Sequence, residues 1–245
     1  MPRQDVIDVP TDIVAGSFDE GGSQDSATLG RQVHQAIEER LLTGRLLPGT
    51  KVSLRGLAQD LGTSMQPVRE AVSRLVAASA LEFTSSRVIR VTTLDWRQAS
   101  DLWAMRLLLE GEACAQFAER RVRDEAERLF ANTERMRALD FGADLHHTMS
   151  AILDWNLDLA RGASSPLLVD TIMTLRVRFA PTIALALSRP EPFDPVFRDF
   201  TLHIQDELIM AIVAGDAASA RHLRCADLRS FQRYLFERLN WPNAI

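Results

Sequence analysis

A mainly α-helical chain with one small β element, built as an N-terminal winged helix-turn-helix followed by an all-helical bundle, is the fold class this sequence predicts. Three observations carry it. Residues 52–81 hold two short segments with apolar residues at helical spacing, separated by Gly62. A run of β-forming residues broken by a polar tip follows directly. Beyond Trp96 the apolar spacing is helical almost without interruption.

The first segment places Leu54, Leu57, Ala58 and Leu61 at i, i+3, i+4 and i+7, one apolar stripe on a short helix that Ser53 is positioned to cap. Gly62 ends it. Ser64 stands at the N-cap of the second helix, and Pro67 falls in its first turn, where a missing N–H costs little because no intrahelical acceptor exists there. Val68, Ala71, Val72 and Leu75 turn inward, and Met65, Gln66, Arg69 and Ser73 share the opposite face. Two short helices about a Gly-containing turn, the second with a polar outer face, outline a helix-turn-helix that lays its second helix in the major groove.

Leu81, Phe83, Val88, Ile89 and Val91 are β-formers interrupted at Thr84-Ser85-Ser86-Arg87, a hairpin with a basic tip, so the unit is winged. Charge agrees with a nucleic-acid partner. Residues 28–93 hold nine Lys/Arg against five Asp/Glu, although the whole chain is net −5. A basic island in an acidic protein is the electrostatic footprint of a phosphate-binding module. The bland alternative is a solvated face on a winged helix used for protein contacts.

Taken in order, 245 residues predict about two domains, and 46% apolar residues supply a substantial core. Residues 1–27, with six acidic residues against one Arg and several Gly and Ser, read as a disordered or loosely packed tail. Leu29, Val33, Ile37 and Leu41 give a helix begun by Thr28 and stopped at Gly44. The winged domain spans 28–93, and Thr92-Thr93-Leu94-Asp95 is the junction. Helices are expected through Leu102 to Ala113, through Ala126 to Leu139, over about 143–161, from Pro166 onward with an interruption and kink at Pro181, and over about 196–214 and 217–239. Residues 188–195, with three prolines, form a loop. This second domain, 94–240, is a bundle of six to seven helices, with either an enclosed ligand pocket or a solid dimerisation core.

No run of 18 apolar residues and no secretory leader is present, which points to the cytosol, on the nucleoid, with no membrane partner. Cys114 and Cys225 lack a C-x-x-C pattern and read as buried thiols. An enzyme reading would have to use His146 and His147, or Asp154 with Asp158. No nucleophile elbow, phosphate loop or metal cluster joins them, so no catalytic residue is assigned.

The stretch I-E-E-R-L-L-T-G-R-L-L-P-G-T-K-V, followed by L-A-Q-D-L-G-T-S-M-Q-P-V-R-E-A-V, resembles the amino-terminal domain of GntR-type bacterial transcription regulators over residues 29 to about 91. The resemblance implies DNA contacts by Arg55, Ser64, Gln66 and Arg69. The family usually has Arg where this chain has Met65, and a Gly in the wing where this chain has Ser85-Ser86-Arg87. Met65 and Arg87 therefore join the DNA-facing candidates with an altered operator preference, since Arg pairs bidentately with guanine and Met cannot.

R-L-L-L-E at 106–110, W-N-L-D-L-A-R-G-A-S-S-P-L-L-V at 155–169 and A-I-V-A-G-D-A-A-S-A at 211–220 resemble the ligand-binding (FCD) domain of the FadR-like branch of that family, over residues 95 to about 238. The resemblance implies a homodimer whose DNA affinity responds to a small carboxylic acid, in many members held with a divalent metal by an Asp and three His. Those four positions carry Ile152, Asn156, Gln205 and Asp227 here, so neither a metal nor another cofactor is expected. Arg106, Asn156, Gln205 and Asp227 become the effector candidates. In one reading they satisfy one another, with Arg106 paired to Asp227 and the amides bridging. In the other, Arg106 takes the effector carboxylate and the amides read its remaining groups. The function expected is a dimeric regulator, typically a repressor, controlled by a metal-free carboxylate. The alternatives are a dimeric regulator with a filled core and no effector, or a helical-bundle enzyme.

Overall fold

The computed structural model describes residues 20–84, 88–141 and 143–242, and nine α-helices and one three-stranded sheet are present among them. The N-terminal part consists of α1 (Glu20–Leu42), β1 (Lys51–Val52), α2 (Leu54–Asp60), α3 (Met65–Ala77), β2 (Leu81–Phe83) and β3 (Ile89–Val91). Val33, Ile37 and Leu41 of α1 are buried with Leu57 and Ala58 of α2 and with Val68, Ala71, Val72 and Leu75 of α3. These are the inward stripes expected from spacing, each Val, Leu or Ile side chain stabilising the fold by roughly 1.5–3 kcal/mol when fully buried. Leu29, expected on that stripe, is exposed instead.

Two features depart from the sequence reading. The tail assigned to 1–27 gives way to helix at Glu20, so its last eight residues belong to α1. Once the amphipathic turns from Val33 onward have nucleated the helix, each added residue needs only its own propensity, and polar composition does not stop it. The rest of that tail, 1–19, lies outside the described residues. The second departure is β1, which pairs antiparallel with β3 and gives the sheet order β1-β3-β2. Two residues carry no readable periodicity. β1 is placed by the Leu47–Thr50 turn, where the Gly49 N–H donates to the Val91 carbonyl at 2.9 Å.

The bundle follows as α4 (Trp96–Arg120), α5 (Arg123–Arg137), α6 (Leu145–Arg161), α7 (Pro166–Leu187), α8 (Pro195–Ala214) and α9 (Ala217–Arg238). Asp95 and Gln98 close a capping box at the start of α4, and Asp144, Asp194 and Asp216 cap α6, α8 and α9. Pro166 opens α7, and the helix continues through Pro181. α4 lies along α9, flanked by α6, α7 and α8.

The two parts share one apolar cluster, in which Ile37, Leu41 and Leu75 belong with Trp103, Phe179 and Ile183. At this seam the His146 ring, in the first turn of α6, places Nδ1 3.0 Å from the carbonyl of Thr43, just past the end of α1. The winged unit is therefore seated on α6 and α7.

Candidate functional site

α3 owes its orientation to the buried stripe described above, which leaves Ser64, Met65, Gln66, Arg69, Ser73 and Arg74 facing solvent; Arg55 is exposed on α2. Met65 is 47% exposed, a large apolar side chain held in water at the tip of the helix. Arg55 and Arg69 make no hydrogen bond or ion pair among the described residues, whereas Arg40 is engaged by Asp60 and Arg90 by Glu82. Ser64 is the N-cap residue of α3, but its hydroxyl makes no capping bond, and no acidic residue occupies the first turn. Unpaired N–H groups and an uncompensated positive helix end suit a phosphate oxygen. Gln66 donates to Glu70 at 2.9 Å, an exposed bond that a base edge could replace. Arg87 lies outside the described residues.

The second site is inside the bundle. Arg106 from α4, Asn156 from α6, Gln205 from α8 and Asp227 from α9, the four residues picked out by sequence, all line one cavity. Arg176 of α7 and Arg224 of α9, which the sequence reading missed, line it too. The free volume is about 50 Å³, room for a few waters, so an organic ligand must push side chains apart to enter.

The pairing differs from the expected one. Arg106 does not meet Asp227: its Nε donates to Oε1 of Glu110 at 2.6 Å, one turn along the same helix. Asp227 instead accepts from Nη1 of Arg224 at 2.6 Å. Nη2 of Arg224 donates to both Glu110 and Asn156, and Arg176 stands 3.7 Å from Glu110. Arg106 and Asp227 each find a partner on their own helix, four and three residues away, while Arg224 also reaches across the bundle to Glu110 and Asn156.

Glu110 is thus gripped by three guanidinium groups. Burial alone would raise its pKa, but Arg106, Arg224 and Arg176 hold the carboxyl far below the usual carboxylate range. Burial, reinforced by the other two guanidiniums, pushes Arg176 down to about 9, which still leaves it charged at neutral pH. Burial also raises Asp227, against the pull of Arg224. Three cations therefore face two carboxylates in a water-poor interior, leaving a surplus of at least one positive charge. The faces of Trp103, 4.5 Å from Arg106, and Trp155, 5.3 Å from Arg224, offset part of it. Nη1 of Arg106, Nη2 of Arg176, Nε of Arg224 and Oε1 of Gln205 are buried without a hydrogen-bond partner.

A metal does not fit this centre. Asn156 and Asp227, at two of the positions where the resemblance places imidazoles, both hold the guanidinium of Arg224. A divalent cation among three guanidiniums would meet repulsion and, of the four carried-over positions, only the Gln205 Oε1 as an uncommitted oxygen. Among the described residues no three His, Cys, Asp or Glu converge, and His203 and His222 are exposed. Cys114 and Cys225 are free thiols; burial pushes the Cys114 thiol up, away from reactivity.

Residues 29–91 match the model of the bacterial regulatory proteins of the gntR family, and residues 101–229 match the FCD domain. The chain is a GntR-family transcription regulator with an FCD domain. This GntR regulator is 25% identical over 221 residues to the HTH-type transcriptional regulator McbR of Escherichia coli, an alignment spanning 89% of this chain and 98% of that one. It is 28% identical over 195 residues to a Paenarthrobacter nicotinovorans protein named "Probable D-xylose utilization operon transcriptional repressor", over 80% of this chain and 83% of that one. The solved structure of E. coli McbR superimposes with a TM-score of 0.79 at 25% identity, covering 86% of this chain and 99% of that one. A regulator from a Rhodococcus species shares the fold with a TM-score of 0.66 at 18% identity, covering 86% and 98%. The two curated relatives are named as transcription regulators, and with its GntR and FCD domains this GntR regulator belongs with them and not with enzymes.

Proposed function

We propose that the chain is a homodimeric repressor that holds operator DNA through Arg55, Ser64, Met65, Gln66 and Arg69 of 28–93, with Arg87 in the wing, and releases it when a small carboxylate binds within 94–240 without a metal. The observation that carries this reading is the surplus of buried positive charge, with unpartnered guanidinium N–H groups, facing a cavity between helices. An isolated buried charge is costly, and a carboxylate that pairs with it and accepts those hydrogen bonds offsets the cost. Arg106 donates to the anion and Gln205 offers its free Oε1 to a hydroxyl or amide N–H elsewhere on the effector, while Asn156 and Asp227 orient Arg224 beneath it.

Two further observations support control of DNA by that site. α6 and α7 carry Asn156 and Arg176 at the cavity, and His146 and Ala184 at the end of α1, so both helices connect effector to winged unit. A difference in effector affinity of about 1–3 kcal/mol between two arrangements would change operator occupancy roughly 5–150-fold. Repression is supported by the name of the Paenarthrobacter relative. Pairing of two copies is supported by the exposed side chains of Met105 and Leu108 on α4 and Leu167 on α7, the last 78% exposed, beside a small-residue cluster that joins the two helices.

Fluorescence anisotropy with DNA flanking the coding region of this chain tests the reading. Binding by a dimer that weakens with salt and with added organic acids, and is indifferent to EDTA, is the expected result. Salt-insensitive binding, or loss of binding with chelator, would contradict it.

A further inference from the structure

The cavity has two unlike ends, and the difference selects among acids. At its inner end stand Arg106 and Arg176, 4% and 5% exposed, each with a terminal nitrogen that makes no hydrogen bond, that of Arg176 standing 3.7 Å from Glu110. Beside them Arg224 is committed to Glu110, Asn156 and Asp227. The outer end is built from rings. Phe141 stacks on Phe193 with centroids 4.9 Å apart, and Phe197 lies nearly parallel to Phe231 at 6.3 Å. Ile152 and Leu202 add aliphatic surface to the lining. Among the described residues that line the cavity, the cation on the side of these rings is Arg198, which is engaged by Asp199.

We infer that the effector is a monocarboxylate attached to a flat aromatic body, its carboxylate taken by Arg106 and Arg176 at the inner end and its ring inserted among the phenylalanines at the outer end. This rests on the proposed effector control and names the class of acid that exerts it. Charge arithmetic limits the number of carboxylates. With Glu110 and Asp227 ionised the centre carries one excess positive charge, which a single carboxylate neutralises. A second or third carboxylate on the same molecule would be driven among aromatic rings with no free cation, where an unpaired charge is strongly disfavoured. The rings favour a flat partner, because offset-stacked and edge-to-face pairs gain beyond simple burial. A neutral ligand of the same shape would leave Nη1 of Arg106 and Nη2 of Arg176 without an acceptor.

Isothermal titration of the full chain with 3-phenylpropanoate, phenylacetate, 3-phenylpropanamide and citrate distinguishes the possibilities, with Trp155 fluorescence as a second readout inside the cavity. The aromatic acids are expected to bind at least tenfold more tightly than the amide or citrate. Arg176→Met is expected to lower that affinity at least tenfold, and Arg176→Lys, which keeps the charge, to recover part of it. Amide binding within threefold of the acid, or acid binding untouched by Arg176→Met, overturns the inference. Citrate binding more tightly than either aromatic acid and releasing DNA would overturn the aromatic class and leave carboxylate control standing. Failure of all three acids to bind a chain that still holds DNA would overturn both. If Arg176→Met does not fold, the comparison of the four compounds on the unsubstituted chain decides alone.

Discussion

Gly44, in the turn that ends α1, lies so close to Ala184 of α7 that a Cβ at position 44 would come within 2.7 Å of the Ala184 Cβ. Its φ of +74° is a conformation L side chains rarely adopt. α7 also carries Arg176, eight residues earlier and roughly 12 Å away along the helix. The winged unit thus rests on the same rod that reaches into the cavity.

Gly44→Ala should destabilise the chain twice over. The left-handed conformation costs a residue with Cβ about 1–2 kcal/mol, and crowding against Ala184 costs about 1–3 kcal/mol more. Urea denaturation would show the loss as a lower midpoint. Because the seam itself is altered, the response of DNA affinity to acid should also shrink. A variant as stable and as responsive as the parent would show that the contact does not matter.

Removing Arg224 should be the costliest change in the bundle. Its guanidinium serves Asp227, Glu110 and Asn156 at once. Arg224→Met leaves Asp227 buried with no cation, and breaking a buried ion pair from one side costs about 3–5 kcal/mol. Thermal unfolding would register this as a marked drop in Tm, while Arg221→Met, in a half-exposed pair with Glu112, should change Tm little.

Acid stability should depend on Glu110. Its folded pKa is depressed below the ordinary 4.5, so its contribution is full above that value and is lost progressively as pH falls below it. Unfolding free energy of the parent should therefore fall with acidification below pH 4.5 more steeply than that of Glu110→Gln, which cannot take up the proton. Equal slopes would place the acid sensitivity elsewhere.

On the DNA side, Arg69→Ala and Arg55→Ala should each weaken operator binding. If an arginine meets a phosphate, the slope of log K against log salt falls by about 1; if it reads a base edge, discrimination against a changed base falls by about 1–3 kcal/mol. Anisotropy at several salt concentrations separates the two. Unchanged affinity in both variants would remove α3 from the DNA interface.

The sequence was most informative where one periodicity governs a whole element. The stripes of α2 and α3, the capping residue Ser53, and the breaks at Gly62 and Gly44 are local, and the described helices follow them closely. It was least informative about partners. Arg106, Asn156, Gln205 and Asp227 were recognisable as one polar set through the resemblance to the FadR-like ligand-binding domain, which assigns those positions to one interior. Who bonds to whom depends on rotamers and on the unforeseen Arg176 and Arg224. A signal for both existed: Arg176 interrupts the apolar run of α7, and Arg224 stands three residues before Asp227. β1 had none, being two residues whose strand character comes wholly from pairing with β3.

The most direct test combines DNA and acid in one titration: anisotropy of a labelled fragment flanking the coding region, held half-saturated by the full chain, with 3-phenylpropanoate added in the presence and absence of EDTA. A fall in anisotropy that is the same with and without EDTA, and absent in Arg176→Met, is the predicted result. Anisotropy that acid never changes, or changes only when metal is left in, would contradict it.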